Sequence, residues 1–427
     1  MGRNLAAAHR MDNPCALGLG RGMDQRADIT IVGGGLNGPI LALACARSGM
    51  QVALIDSATV ATRKKPDFDG RAYALALSSQ RMLRALGLWS AVEADAQPMV
   101  EIKVTDGRAG EGPSLWMMHF DHAELGEGPM GFLVEDRHLR RALLDAVAAS
   151  DQIEHIAGET VVAQTVEPAS VTVETDTGRV VRSAVLVGAD GRQSGTAERA
   201  GIKRTVWNYD QLALVCAVAH EKPHNGIAHQ FFMPGGPLAI LPLTQNRSAI
   251  VWSEAKAKAE HMREMSDADF LEALKPAFGS FLGDLTLCGK RFSYPLNLSI
   301  ANALVADRMA LVGDAAHGIH PIAGQGLNAG FRDVAALADV LTEARQRGED
   351  IGNPLVLENY RRWRQFDTAK LAMATDGFNR LFSNDNPLLR LGRDIGMGLI
   401  NATPSLRRGF MREAAGLNGE LPSLMAG

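Results

Sequence analysis

Residues 27–56 constrain the fold of this chain more than any other stretch. Ala27-Asp28-Ile29-Thr30-Ile31-Val32 is short, apolar and β-branched, the pattern of a buried parallel strand. Gly33-Gly34-Gly35-Leu36-Asn37-Gly38 follows at once. A helical period then runs from Pro39 to a glycine stop at Gly49, and a second strand, Gln51–Asp56, ends in an acid 23 positions after Gly33. Each part has a physical job. Gly33 permits the tight turn, and Gly35 lets backbone N–H groups reach a pyrophosphate at the helix start. Gly38 lets helix and strand pack closely, and Asp56 can accept hydrogen bonds from ribose hydroxyls. Strand, glycine turn, helix, strand and acid in this order imply a dinucleotide site. They do not separate FAD from NAD, and an acid at Asp56 disfavours the 2′-phosphate of NADP.

Composition bears on this motif. Glycine accounts for 44 of 427 residues, about one in ten against a usual ~7%. Eleven of the 44 (Gly33, Gly34, Gly35, Gly38, Gly188, Gly191, Gly313, Gly318, Gly324, Gly326 and Gly330) lie in or beside this motif and the two further clusters described below, so the excess reads as backbone approach to a ligand. A net charge of −4 argues against a dedicated nucleic-acid binder. No run of ~18 apolar residues offers a transmembrane helix, and the length predicts two or three domains at ~150 residues each. Cys15, Cys45, Cys216 and Cys288 form no CxxC pair, so free thiols in a reducing compartment are expected and a metal site is not. Residues 1–26 carry no apolar run of signal-peptide type and are expected to be a flexible N-terminal tail, which makes the expected localisation cytoplasmic.

Two more clusters repeat the logic of strand, glycine and acid. Residues 161–191 read as three strands, with a hairpin turn at Asp176-Thr177-Gly178 and an end at Gly188-Ala189-Asp190-Gly191. A β-meander inserted into a parallel sheet is unlike a simple NAD dehydrogenase. Downstream, the strand Arg308–Val312 leads into Gly313-Asp314-Ala315-Ala316-His317. His320-Pro321-Ile322-Ala323-Gly324-Gln325-Gly326-Leu327-Asn328 then opens a helix. An acid leaving a strand can bind a sugar-alcohol hydroxyl. A glycine turn opening a helix aims N–H groups and the positive dipole end at negative charge. His317 and His320 have no cluster of metal-ligand spacing around them and read as structural histidines.

In this order the three signatures resemble the class A FAD-dependent aromatic hydroxylases of the para-hydroxybenzoate hydroxylase fold, over roughly residues 27–420. Phe68-Asp69-Gly70-Arg71-Ala72-Tyr73-Ala74-Leu75 with Leu86-Gly87-Leu88-Trp89, Val134-Glu135-Asp136-Arg137-His138-Leu139, and His320 to Asn328 are similar to the ubiquinone-biosynthesis hydroxylases within that class. The resemblance implies that Gly33, Gly35, Gly38 and Asp56 bind the ADP half of FAD. Asp190 would belong to a motif shared between FAD and the NAD(P)H pyrophosphate. Gly313 and Asp314 would meet the flavin ribityl or ribose, and Pro321, Gly324, Gln325, Gly326, Leu327 and Asn328 the isoalloxazine ring. Arg71 and the Asp136-Arg137 pair would touch the flavin or its phosphates; the subfamily usually has asparagine at Asp136, which favours Arg137.

The implied fold is α/β: a Rossmann-like FAD-binding domain with an inserted β-meander, an antiparallel-sheet substrate domain and C-terminal helices. The expected boundaries are 27–75, 125–205 and 300–345 for the discontinuous FAD-binding domain, 76–124 and 206–299 for the substrate domain, and 346–427 for the helical region. Only one dinucleotide fingerprint exists, so NAD(P)H is expected as a transient co-substrate. The implied chemistry is oxygen transfer to an electron-rich phenol from a flavin C4a-hydroperoxide formed with O2, so no catalytic triad is needed. Candidate pocket walls are Phe231, Met233, Leu238, Leu241, Pro242 and Pro321, and candidate phenol bases are His229 and Tyr209. The stretch Leu388–Glu413 mixes apolar residues with Arg390, Arg393, Arg407, Arg408 and Arg412, which reads as a packed helix or as a surface for the inner membrane face or for other ubiquinone-biosynthesis proteins. The function implied is hydroxylation of a polyprenylated phenol. Its rivals are a hydroxylase of a small soluble phenol and a non-catalytic flavoprotein subunit. A flavin halogenase would require a Trp-x-Trp pair, which none of the five tryptophans forms.

Overall fold

A computed structural model describes residues 24–108, 112–319, 324–382, 396 and 398–427. The first signature folds as its pattern dictates. Strand Ile29–Val32 is buried throughout, helix Asn37–Arg47 follows, and strand Val52–Asp56 returns parallel to the first. Gly49 takes φ +78° just past the helix, the left-handed conformation that ends it. These strands sit in a six-stranded sheet ordered Val305–Ala306, Met309–Leu311, Val185–Gly188, Ile29–Val32, Val52–Asp56, Ile153–Ala157, parallel except for the first pair. All three glycine signatures thus leave neighbouring strands at the same sheet edge, the crevice beyond the strand ends where such sheets bind ligands.

The meander forms its own four-stranded sheet, in which Asp24–Arg26 pairs parallel with Val180–Arg182. The expected tail of residues 1–26 therefore ends in a strand. The last meander strand breaks at Ala184, whose N–H donates to Asp28 O at 3.1 Å, and the chain continues as Val185–Gly188 in the parallel sheet.

An eight-stranded sheet stands beside the cradle. It contains the 17-residue strands Arg204–His220 and Leu285–Ala301, then Arg247–Ala255, Gly236–Leu243 and Ile227–Met233, and finally the hairpin Glu101–Arg108 and Gly112–Asp121. It is antiparallel except where Ile227–Phe232 pairs parallel with Glu101–Asp106. Its central strands carry apolar residues on both faces. Leu212, Leu214, Leu238, Ile240, Ile250 and Trp252 pack on one face against helices Lys256–Glu264 and Asp267–Phe278. The expected boundary at residue 76 does not coincide with a change of core: Met82, Leu83, Leu88, Trp89 and Val92 pack with the parallel sheet. Helices Gln325–Gln346, Pro354–Phe382 and Pro404–Ala414 and the short helix Ser423–Ala426 lie in the described C-terminal part.

Candidate functional site

One cavity of about 1780 Å³ touches the first and third glycine signatures, the turn after Asp190, the second face of the eight-stranded sheet and the C-terminal helix. At the nucleotide end it is lined by Gly35, Leu36 and Asn37. Helix Asn37–Arg47 has no side-chain N-cap, which leaves its first-turn N–H groups for an anion. The turn itself admits only glycine at two points. A Cβ at Gly33, which takes φ +118°, would lie 2.4 Å from Ala189 O, and one at Gly38 would lie 1.9 Å from Gly33 O. A Cβ at Gly35 meets nothing within 4 Å, so that position is open toward the cavity it lines. Asn37 Oδ1 is buried without a hydrogen-bond partner.

The third signature rests on buried charge. Asp333, 1% exposed, lies on helix Gln325–Gln346. Its carboxylate accepts from Gly313 N at 3.0 Å, from His317 Nε2 at 2.6 Å and from Arg364 Nε at 2.8 Å. A carboxylate only accepts, so His317 carries its proton on Nε2; it is a structural histidine, as the sequence reading has it. Burial pushes the Asp333 carboxyl up, but the charges and hydrogen bonds of His317 and Arg364 outweigh it and hold the group below its ordinary value. The loop is tied to the neighbouring sheet by Arg204, which donates to Asp314 O at 3.0 Å and to Ala315 O. Asp314 lines the cavity, and its Oδ2 accepts from Arg192 Nε at 3.0 Å, an exposed pair that contributes little to stability and exchanges readily for ligand hydroxyls.

Gly324, at φ +65°, starts the helix whose first residues Gln325, Gly326 and Leu327 line the cavity; a Cβ there would sit 2.9 Å from Ala74 Cβ. Asn328 is a pin: its Oδ1 accepts from Ala76 N and Ser79 Oγ, and its Nδ2 donates to Ala74 O and Gly324 O, at 2.8–3.1 Å. Pro321 and His320 lie outside the described residues.

Other expected site residues face elsewhere. Asp56, 2% exposed, sits over Gly34 and binds Arg63 through both oxygens at 2.8 Å. Burial raises its pKa, and the Arg63 and Ala58 contacts more than reverse that. A ribose hydroxyl must use the lone pairs left beside Arg63. The Asp190 carboxylate accepts from Ser194 Oγ, Thr196 N and Thr196 Oγ1 at 2.5–3.0 Å, holding the turn, while Ala189, Gly191 and Arg192 line the cavity. Arg137 pairs with Glu135 at 2.8 Å and donates to Pro66 O, and it is not among the lining residues.

Arg140, which sequence reasoning missed, lines the cavity instead, together with Arg71 and Tyr73. All three converge on Asp136: Arg140 Nε at 2.7 Å, Tyr73 OH at 3.0 Å and Arg71 Nη2 at 3.2 Å. Arg71 also binds Asp69. The spacing of Asp136 and Arg140, four apart on one helix, was the available signal. Arg140 Nη1 is buried and unpartnered.

The substrate walls correct the sequence reading by one residue. Phe231, Met233 and Leu238 lie on the face packed against the two helices, and Pro242 is not on the lining; of the six candidates Leu241 lines the cavity. The lining side carries Ala213, Val215, Phe232, Ala239 and Val251. Successive side chains of a strand point to opposite faces, and here both faces are apolar, so alternation of polarity does not mark the inner one. His229 touches the cavity and Tyr209 does not, but the His229 ring packs against Phe231 and Phe281, at centroid distances of 5.9 and 4.7 Å, on the face turned to the helices. Burial, aided by the Lys103 charge, pushes the His229 imidazolium down to about 4, so the ring is neutral at pH 7.

These residues fit FAD: an uncapped helix start beside an open glycine for the pyrophosphate, a carboxylate at the cavity wall for a sugar-alcohol hydroxyl, and a second helix start for the ring. Such a parallel sheet with a glycine cradle, opening on an apolar cavity under a second sheet, is the architecture of FAD-dependent monooxygenases. The structure is similar to that of the p-nitrophenol 4-monooxygenase PnpA from Pseudomonas putida DLL-E4, with a TM-score of 0.78 over 93% of this chain and 100% of that one, at 20% identity. The chain belongs to the FAD binding domain family, whose match covers residues 26–372. It is 41% identical to the ubiquinone hydroxylase UbiL of Rhodospirillum rubrum, over 100% of this chain and 98% of that protein. It is 34% identical to the 3-demethoxyubiquinol 3-hydroxylase of Escherichia coli (strain K12), over 92% of this chain and 100% of the relative. FAD is its cofactor, and it is an FAD-dependent hydroxylase.

Proposed function

We propose that this protein hydroxylates the aromatic ring of a polyprenylated phenol on the way to ubiquinone. The phenol, O2, NAD(P)H and a proton give the hydroxylated phenol, water and NAD(P)+. The observation that carries this reading is a single cavity joining the FAD cradle to an apolar sheet face, in a chain alike along its length to two ubiquinone-pathway hydroxylases. Bound FAD supplies the activation of O2 for transfer of one oxygen atom to the ring.

The chain's own residues do the remainder. The N–H groups that open helix Gln325–Gln346 favour negative charge at the ring they face. Val215, Leu241, Val251 and Phe232 keep water from the reacting centre. Arg71 and Arg140, fixed on Asp136, supply positive charge for the phosphates of FAD or NAD(P)H.

Among the described residues no helix is long and apolar enough to cross a membrane. Contact with a membrane surface is supported by Leu355, Phe366 and Met373, 75–76% exposed on helix Pro354–Phe382 beside exposed Arg362 and Lys370. In a strain lacking this protein, an under-hydroxylated prenylphenol accumulates, and its mass identifies the missing ring position. Normal ubiquinone in that strain, with no paralogue compensating, contradicts the pathway reading.

A further inference from the structure

We propose that the passage between the hairpin Glu101–Arg108 and Gly112–Asp121 on one side and helix Pro404–Ala414 on the other holds the polyprenyl tail of the substrate. Gly409 sets the girth that this passage accepts. The inference rests on the hydroxylase reading above and says where the tail of that substrate lies.

Size comes first. The cavity, about 1780 Å³, exceeds the ~300–1,000 Å³ of ordinary small-molecule sites, as a site for more than one occupant requires. Its far end is built from Ile102, Val104, Met118 and Phe120 of the hairpin, facing Phe410 and Met411 of the helix. These walls are apolar, and methionine adapts its shape to an irregular, flexible chain. The passage is continuous with the sheet face opposite the cradle, so a ring held there directs its tail this way.

Gly409 is the telling residue. It lies inside helix Pro404–Ala414, where glycine weakens the helix relative to alanine, and it does not take the left-handed conformation that would require glycine. It lines the cavity, and a Cβ built on it meets nothing within 4 Å. Neither turn geometry nor packing asks for glycine there; an open mouth does. The helix is held to the segment after the hairpin by Arg407–Glu124 at 2.9 Å and Arg412–Glu127 at 3.0 Å, and to helix Pro354–Phe382 by Lys370–Glu413 at 3.0 Å. These are partly exposed pairs of small individual strength, so the wall can yield as a long chain threads in.

The test uses the full-length FAD-loaded protein with two probes, phenol and farnesylphenol, whose binding is read from the flavin absorbance difference spectrum. Because every buried methylene adds affinity, wild type is expected to bind farnesylphenol at least ~100-fold more tightly than phenol. Gly409→Leu is expected to cut that ratio by ~10-fold or more, while Gly409→Ala, one methyl larger than glycine, retains most of it. The ratio is read on one protein, so a general loss of binding cancels. Should Gly409→Leu fail to fold, Phe410→Ala, which removes a ring from the neighbouring position of the same helix, is expected to lower the same ratio several-fold. A wild type without a tail preference, or a Gly409→Leu ratio equal to wild type, overturns the proposal. FAD-loaded wild type whose spectrum responds to neither probe overturns the hydroxylase reading along with it, and that outcome is distinct from the other two.

Discussion

The two ends of the cavity are built by different physics. At the cofactor end the limits are set by backbone and buried charge: added atoms at Gly33 or Gly38 would meet carbonyl oxygens at 2.4 and 1.9 Å, and Asp333 is bound by three donors. At the substrate end the limits are set by side-chain surface. Gly409 faces open space, and Ala239, Leu241 and Val251 offer interchangeable apolar contact. The first end tolerates almost no change and holds one cofactor. The second can be resized without disturbing the first, which suits a common flavin chemistry applied to different phenols.

The strongest way to break this contrast is Gly33→Ala. Backbone overlap combined with φ +118° is expected to cost ~3 kcal/mol or more and to leave the protein colourless. Equilibrium urea unfolding together with FAD content checks it, and a stable yellow variant contradicts it. Asp333→Asn comes next. It leaves Arg364 without its buried counter-charge, at an expected ~3–5 kcal/mol. Because the Asp333 carboxyl is held below its ordinary value, its contribution is full above the unfolded pKa of ~3.9 and is lost as pH falls below it. The wild-type melting temperature should therefore drop more steeply in acid than that of Asp333→Asn.

A pair of neighbours on one strand sharpens the comparison. Leu238, fully buried against the helices, is expected to cost ~2–5 kcal/mol on truncation to alanine, with substrate preference unchanged. Ala239, on the cavity side, should when changed to phenylalanine raise KM for farnesylphenol ~10-fold while moving Tm little. Equal effects at the two positions would erase the distinction between faces. The smallest effect belongs to His229. Its imidazolium is pushed down to about 4, against ~6.5 when unfolded, so its contribution is present above that value and is lost as pH falls toward 4. His229→Phe should flatten that part of the Tm–pH profile.

The same division explains what was legible in the sequence. Turns such as Gly33–Gly38 and Gly313-Asp314 stand out because backbone approach admits few residue types. The sheet's inner face is not legible, because Phe231 and Phe232, or Leu238 and Ala239, are equally apolar and only the tertiary neighbours decide which looks inward. Asp333 passes for an ordinary helix acid until its partners, 20 residues back and 31 ahead, come together around it. Asp190, a strand-end acid, is likewise bound by Ser194 and Thr196, partners that the sequence pattern does not reveal.

The central claim is that one cavity joins an FAD cradle to a phenol site where O2 delivers its oxygen to the ring. The most direct measurement gives the purified FAD-loaded protein NAD(P)H, farnesylphenol and isotope-labelled O2. The account predicts phenol-stimulated O2 uptake and a hydroxylated product whose new ring oxygen carries the label. FAD bound at one per chain, with O2 uptake indifferent to the phenol and no labelled product, would contradict it.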